Sequence, residues 1–348
     1  MPSTFRRLTV ARVDRLTDDS AAVTFRVPDD LHEEFAFAPG QSLTLKRGDE
    51  RRSYSICARV GRAPRIGVRE VPGGAVSGWL VRSVQAGDVV EVQPPSGSFT
   101  PDLQTPGHHV LIAAGSGITP MLSIAGSVLA AHDESSVTLF YGNRRTDSVM
   151  FADEVADLKD AYPARMRLVH VLSREPQEVE LFTGRLDAVK LRSLLPVTVD
   201  VADVDHWWLC GPFGMVTDAM QVLDELGVER ARIHRELFYV EPEPPAEVHH
   251  VDAPAGPGAE VTVVLDGRSS TVVVTPGTPI LDAAQKSRPD LPFACKGGVC
   301  GTCRALVTHG EVTMRRNYAL EDDEVAEGYV LTCQALPQSD EVTVDYDA

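Results

Sequence analysis

Four cysteines near the C-terminus, Cys295, Cys300, Cys303 and Cys333, constrain this chain more than any other feature. They form C-x4-C-x2-C with a fourth sulfur 30 residues beyond, the spacing of a plant-type [2Fe–2S] site. Lys296, Gly297, Gly298 and Gly301 fill the loop between them. A loop wrapped round a compact anionic cluster must bring backbone N–H groups close to sulfur, and glycine permits both the approach and positive φ. Structural zinc would favour two paired C-x2-C knuckles, whereas here the isolated cysteine is the distant one. The expectation is a chain that holds a cluster through these four thiolates.

The 348 residues allow two or three domains, and a composition of 43% hydrophobic and 24% charged residues is ordinarily globular. A net charge of −17 argues against nucleic acid or an anionic membrane surface as partner, since phosphate needs basic surface. It is compatible with docking to a basic protein. Six cysteines are too few for a secreted disulfide scaffold in a chain this long. With four given to iron, Cys57 and Cys210 remain, and a cytoplasmic location is expected. Met1 to Val10 carries Arg6 and Arg7 and no apolar stretch, so no signal peptide is expected. Val110 to Ala131 is free of charge, but Gly115-Ser116-Gly117-Ile118-Thr119-Pro120 interrupts it, predicting strand–loop–helix rather than a membrane span.

Three segments separate by pattern. Residues 1–103 hold alternating runs such as Leu8-Thr9-Val10, Val23-Thr24-Phe25-Arg26-Val27 and Leu43-Thr44-Leu45-Lys46, punctuated by Gly and Pro. They predict an antiparallel β-barrel. Residues 104–240 alternate continuous apolar strands (Val110–Ala114, Val137–Tyr141, Leu168–Leu172, Trp207–Cys210) with helical patterns near Met121–Ala131, Phe151–Ala161, Asp187–Leu195 and Met215–Leu226. That is the pattern of an α/β domain with a parallel sheet covered on both faces. A Pro-rich linker is expected over 241–259. The last segment, 260–348, opens with a hairpin turning at Asp266-Gly267, followed by a short helix near Pro279–Lys286 and the cysteine loop. Three features get plain readings: Glu321-Asp322-Asp323-Glu324 as a solvated face, His249-His250 as linker, and Trp207-Trp208 as core.

A [2Fe–2S] centre passes single electrons while a nicotinamide gives up a hydride, so a flavin is expected between them. Arg52-Ser53-Tyr54-Ser55 resembles the R-x-Y-S motif of the ferredoxin–NADP reductase superfamily. The resemblance implies FAD with Arg52 on its pyrophosphate, Tyr54 packed on the flavin or ribityl chain, and Ser55 hydrogen-bonded near N5. Gly73-Gly74-Ala75-Val76-Ser77 resembles the second phosphate loop, where backbone N–H groups and the Ser77 hydroxyl would hold an anion. Gly115, Gly117, Thr119 and Pro120 belong to a segment resembling the G-x-G-x-x-P nucleotide loop, and Cys210-Gly211-Pro212 resembles the C-G-P segment beside the nicotinamide. Ser55 and Cys210 are thus the candidate catalytic pair. Ser173-Arg174 resembles the pair that binds the adenosine 2′-phosphate, with Arg144 close by, so NADPH is expected; Phe238 would stack on the flavin.

The whole chain resembles flavin–nucleotide reductases with a C-terminal ferredoxin domain, which implies a β-grasp α+β fold for 260–348. Within that branch it is most similar to the reductase components of phenylacetyl-CoA epoxidases. Ala113–Leu122, Tyr141–Arg144, Ala294–Cys300 and Gly328–Pro337 carry the similarity. The implied partner is a separate di-iron oxygenase, built of several chains, in aerobic phenylacetate degradation. The chain lacks a carboxylate/His di-iron signature of its own. A Rieske ring-hydroxylating or other multicomponent oxygenase is the alternative partner, and an iron–sulfur redox sensor the non-enzymatic alternative.

Overall fold

The computed structural model describes residues 5–48, 50–238, 258–293, 296–320 and 322–348. Cys295, Glu321, His249-His250 and most of the expected linker lie outside the described residues. Two compact units divide the chain, Phe5–Tyr239 and Val240–Ala348.

The first unit begins with a six-stranded antiparallel sheet: β1 (Arg6–Thr17), β2 (Ser20–Arg26), β3 (Ser42–Arg47), β4 (Glu50–Ser55), β5 (Arg65–Arg69) and β6 (Val89–Val92), in the order β4-β3-β6-β1-β2-β5. The period-2 pattern sends Leu8, Val10, Val23, Phe25, Leu43 and Leu45 into one core. An antiparallel bridge between Ile56 and Ile66, just beyond β4, joins the two sheet edges and closes the barrel. Helix α1 (Ala75–Arg82) buries Val76, Leu80 and Val81 against that core.

The same unit continues as β7 (His108–Ala114), α2 (Ile118–Ala131), β8 (Ser136–Asn143), α3 (Ala152–Ala161), β9 (Met166–Leu172), α4 (Ala188–Thr198), β10 (His206–Gly211), α5 (Phe213–Glu225) and β11 (Ile233–Leu237). The strands lie in the order β11-β10-β7-β8-β9 and every pairing is parallel. Trp207 and Trp208 are core, as expected. The uncharged Val110–Ala131 stretch is β7, a turn and α2, and among the described residues no helix is long and apolar enough to cross a membrane. Barrel and sheet meet closely: a Cβ on Gly67 of β5 would sit 2.5 Å from Thr119 Cγ2 and 2.7 Å from the Phe151 ring. Arg65 of β5 bridges Asp14 and Glu154, both at 3.0 Å.

The second unit holds β12 (Ala259–Leu265), β13 (Arg268–Val274), α6 (Ile280–Ala284), β14 (Arg304–His309), β15 (Val312–Met314), α7 (Asp322–Ala326), β16 (Tyr329–Leu331), β17 (Ala335–Pro337) and β18 (Glu341–Asp345). Its main sheet runs β13-β12-β18-β14-β16, with β12 and β18 parallel. The expected hairpin forms, Asp266 and Gly267 taking φ of 56° and 67° as a type I′ turn requires. The Asp347 carboxylate accepts both turn N–H groups at 2.8 Å. The first strand starts at Ala259, inside the segment expected as linker. Glu324 also departs from a merely solvated reading, lying 3.1 Å from Arg304 Nε.

Candidate electron-transfer sites

Sheet topology marks a candidate nucleotide site before any side chain is considered. The chain lays down β7, β8 and β9 in one direction, then returns to the other side of β7 with β10, so strand order reverses between β7 and β10. Ligands of open α/β sheets lie beyond the carboxyl ends of the strands at such a point. Gly115–Gly117 leaves β7 there as a single 3-10 turn, with Gly115 at φ 55°. A Cβ on Gly117 would fall 2.1 Å from the Cys210 carbonyl oxygen, a backbone atom that cannot yield. A Cβ on Gly211 would lie 2.7 Å from Met215 Cε and 3.2 Å from Ala114 N. These glycines let the two strand ends touch. Gly117 caps α2 with no side-chain bond to its first N–H groups, a fit for a pyrophosphate. Thr119 donates to the Ser116 carbonyl at 3.0 Å, Pro120 occupies the first turn, where a missing N–H costs nothing, and Tyr141 donates to the Gly115 carbonyl at 3.0 Å. Pro212 precedes α5.

The sheet also brings the expected phosphate readers together. The Ser173 and Arg174 N–H groups donate to the carbonyls of Asn143 and Arg144 at 2.9 and 2.8 Å. That pins the ends of β8 and β9 side by side, with Arg144 and Arg174 both exposed. Two guanidinium forks and the Ser173 hydroxyl suit a phosphate monoester. Glu175, which follows, accepts from Thr146 N and Oγ1 at 2.8 and 2.7 Å. Those bonds hold its carboxyl below the ordinary range and fasten the 144–148 loop.

On the barrel, Arg52 and Tyr54 share one face of β4 while Ser55 faces the other way. Arg52 is half exposed, 3.1 Å from Glu50. Tyr54 packs against the barrel core, and burial pushes its phenol up, so it stays protonated. Ser55 is buried and donates to Glu236 Oε2 at 3.1 Å. Glu236, on β11, is in register with Cys210 on β10. Burial raises the Glu236 carboxyl to about 7, the Ser55 hydrogen bond opposing it. Burial, then the Glu236 charge, pushes the Cys210 thiol well above its ordinary value. Ser55 and Cys210 therefore meet around a third group that the sequence pattern does not reveal.

Elsewhere the placement differs in detail. Gly73 takes φ 75° and Gly74 caps α1 with no side-chain bond, leaving N–H groups for an anion. The Ser77 hydroxyl instead closes the loop, accepting from Val71 N at 3.1 Å and donating to the Gly74 carbonyl at 3.4 Å. Phe238, half buried, packs against the core cluster of Trp208 and Cys210. Arg69 is a further group that no motif signals: its Nη1 lies 3.0 Å from where a Cβ on Gly115 would stand.

In the second unit, Cys303 and Cys333 are buried and Cys300 half-buried. A hydrogen bond with Cys333, then burial and the charges of Cys333 and Cys300, push the Cys303 thiol far up. Lys296, Gly298 and Gly301 take φ of 53°, 78° and 63°, the turning that a loop wrapped on a cluster needs. Among the described residues no three His, Cys, Asp or Glu side chains converge as one metal ion would require. Cys303 lies beside Cys333, and two irons sharing thiolates are the group that the cysteine spacing suits.

Fold and sites together define an oxidoreductase with flavin, nicotinamide and iron–sulfur modules. Family models agree: an oxidoreductase FAD-binding domain matches residues 7–100, an oxidoreductase NAD-binding domain 111–221, and a 2Fe-2S iron-sulfur cluster binding domain 263–338. The chain belongs to the ferredoxin reductase family. It is 43% identical to a component chain of the 1,2-phenylacetyl-CoA epoxidase of Escherichia coli K12, with 99% of each chain covered. It is 33% identical to the ferredoxin reductase component of 3-ketosteroid-9-alpha-monooxygenase of Rhodococcus rhodochrous, covering 97% of this chain and 96% of that one. Phthalate dioxygenase reductase shares the fold over 98% of both chains, at 24% identity and a TM-score of 0.58.

Proposed function

We propose that the chain is the NADPH-dependent reductase of a separate di-iron oxygenase that epoxidises phenylacetyl-CoA. The observation that carries the partner is the 43% identity, spanning 99% of both chains, to the Escherichia coli epoxidase component. The exposed Arg174 and Arg144 and the half-buried Ser173, on strand ends held together by the Asn143 and Arg144 carbonyls, support NADPH over NADH. When bound, the flavin accepts hydride from the nicotinamide and the cluster carries electrons one at a time. The chain's residues do the rest. Gly115, Gly117 and the start of α2 would hold the pyrophosphate, and Gly211 lets the Cys210 segment pack against the end of β7. Gly73, Gly74, Arg52 and Tyr54 would hold the FAD, and Phe238 would supply an aromatic ring for the flavin. Ser55 and Glu236 hold a proton beside Cys210, while Cys300, Cys303, Cys333 and Cys295 supply the cluster's thiolates. A cytoplasmic location follows from this role.

The test mixes the purified holoprotein with its oxygenase, phenylacetyl-CoA and either nucleotide, and follows oxygen uptake and substrate loss. Turnover with NADPH supports the reading. Turnover only with a Rieske oxygenase would leave the reductase intact and remove the partner. The Rhodococcus relative, at 33% identity and serving a different monooxygenase, is what keeps that second reading open.

A further inference from the structure

Gln334 follows the last cysteine and is buried. Its backbone is fixed at both ends: its N–H donates to the Leu331 carbonyl at 2.7 Å, and its carbonyl accepts from Arg315 N at 3.0 Å. The side chain then reaches back across 38 residues of sequence, where Nε2 donates to the Lys296 carbonyl at 2.9 Å. The same nitrogen lies 3.5 Å from Cys333 Sγ, within range for an N–H···S bond. An amide nitrogen carries two protons, so one group can serve both acceptors.

The loop is shaped around this side chain. Lys296 sits at φ 53°, a strained conformation for a non-glycine residue, and its carbonyl is the one Gln334 holds. Gly298, at φ 78°, leaves little room for a side chain: a Cβ would stand 3.1 Å from Gln334 Cγ and 3.2 Å from the Arg316 carbonyl oxygen. Gln334 is thus a peg on which the ligand loop folds, and it aims a dipole at a sulfur.

We propose that Gln334 is a positioning residue for the cluster: it ties the ligand loop to the fourth cysteine and raises the reduction potential through its bond to Cys333 sulfur. The inference rests on the cluster being held by Cys295, Cys300, Cys303 and Cys333. Adding one electron makes the cluster–thiolate unit more negative, so a donor to sulfur favours the reduced state more than the oxidised one. A hydrogen bond to a charged group is stronger than one between neutral groups, and a bond that strengthens on reduction gives on the order of a tenfold change in the one-electron equilibrium, which is about 59 mV.

The experiment uses the full-length holoprotein and its Gln334→Leu and Gln334→Glu variants. Each is titrated with a reductant through redox mediators, with the reduced cluster followed by EPR and the oxidised cluster by visible absorbance. The expected results are a roughly tenfold less favourable reduction in Gln334→Leu and a larger loss in Gln334→Glu, where an anion replaces the donor. Both variants should keep FAD and NADPH–ferricyanide activity. Wild-type potentials in both would overturn the proposal. If neither variant assembles a cluster, pulsed EPR of reduced wild type carrying 15N-labelled glutamine decides: a 15N coupling to the cluster supports the bond, and its absence overturns it. A wild-type holoprotein with no [2Fe–2S] signal would instead sink the underlying ligand assignment, a separate result.

Discussion

Replacing Glu236 by Gln should remove a pH dependence that the wild-type fold carries. Burial raises this carboxyl from its ordinary 4.5 to about 7, and Ser55 offsets only part of the effect. The folded protein therefore holds a proton that the unfolded chain has released, so stability falls as pH rises from 4.5 through 7 and the loss is complete above that. The full shift corresponds to about 3 kcal/mol, and the half-buried position of the residue reduces this to about 2 kcal/mol. Gln keeps the shape and an acceptor for the Ser55 hydroxyl but cannot ionise. For a unit of this size each kcal/mol moves Tm by about 2–4 °C. The variant should then gain about 4–8 °C over wild type at pH 8.5 and almost nothing at pH 4.5. Flavin fluorescence, which reports melting of the Phe5–Tyr239 unit alone, gives the curves. The pH profile of NADPH–ferricyanide activity should lose its limb near 7 in the variant. A Tm difference between the two proteins that is constant across pH would refute the reasoning, because it would mean that Glu236 does not titrate in this range.

Arg174→Ala should raise KM for NADPH by roughly ten- to a hundredfold, the loss of one charge-assisted phosphate contact, and leave NADH nearly untouched; equal losses with both nucleotides would remove Arg174 from phosphate reading. Cys300→Ser should weaken or abolish the visible absorbance and EPR signal of the cluster and collapse oxygenase-coupled turnover while NADPH–ferricyanide activity persists; undiminished coupling in a protein without cluster would make the flavin the direct donor. Burial holds the His109 and His234 imidazoles down at about 4, so acid should destabilise the first unit between pH 6.5 and 4 as the unfolded chain takes up protons first. His109→Asn, which keeps an acceptor for Trp208 Nε1, should flatten part of that fall in Tm, and a variant curve parallel to wild type would show that His109 contributes nothing to it.

Much of the fold is legible in the sequence because it is written in short-range pattern. Val110–Ala114 reads as a buried strand because its apolar run ends in glycines, and Gly115–Gly117 is the turn that leads into α2. Asp266-Gly267 signals its hairpin through the two positive φ values these residues accept. The cysteine loop is legible for the same reason: spacing and small residues are local. What escapes is long-range. Ser55 and Glu236 are 181 residues apart, and only the placement of β11 beside β10 brings the carboxylate to the hydroxyl. Glu236-Leu237-Phe238 draws attention for its aromatic ring, and nothing in the triplet reveals that its acid is the half-buried partner of Ser55. Ser77 misleads for a different reason: a hydroxyl near a helix start satisfies an anion or its own loop equally well, and here it bonds to Val71 and Gly74.

The parallel sheet separates two demands that would otherwise compete. At the carboxyl ends of β7 and β10 the backbone must come close and stay unencumbered, so Gly115, Gly117 and Gly211 stand there and contribute little packing of their own. At the amino ends of β7, β10 and β11 the same strands carry large rings. Trp208 donates to His109 Nδ1 at 3.1 Å and stacks on His234 with centroids 4.1 Å apart, while His109 and His206 stack at 5.0 Å. In-register parallel pairing makes this possible, because His206 lies beside His109 and Trp208 beside His234 on one face. Aromatic contacts of this kind add stability beyond the area they bury, on the strands whose far ends give it up to glycine. The nucleotide loop can therefore be built for close approach, since the strands that aim it are anchored at their opposite ends.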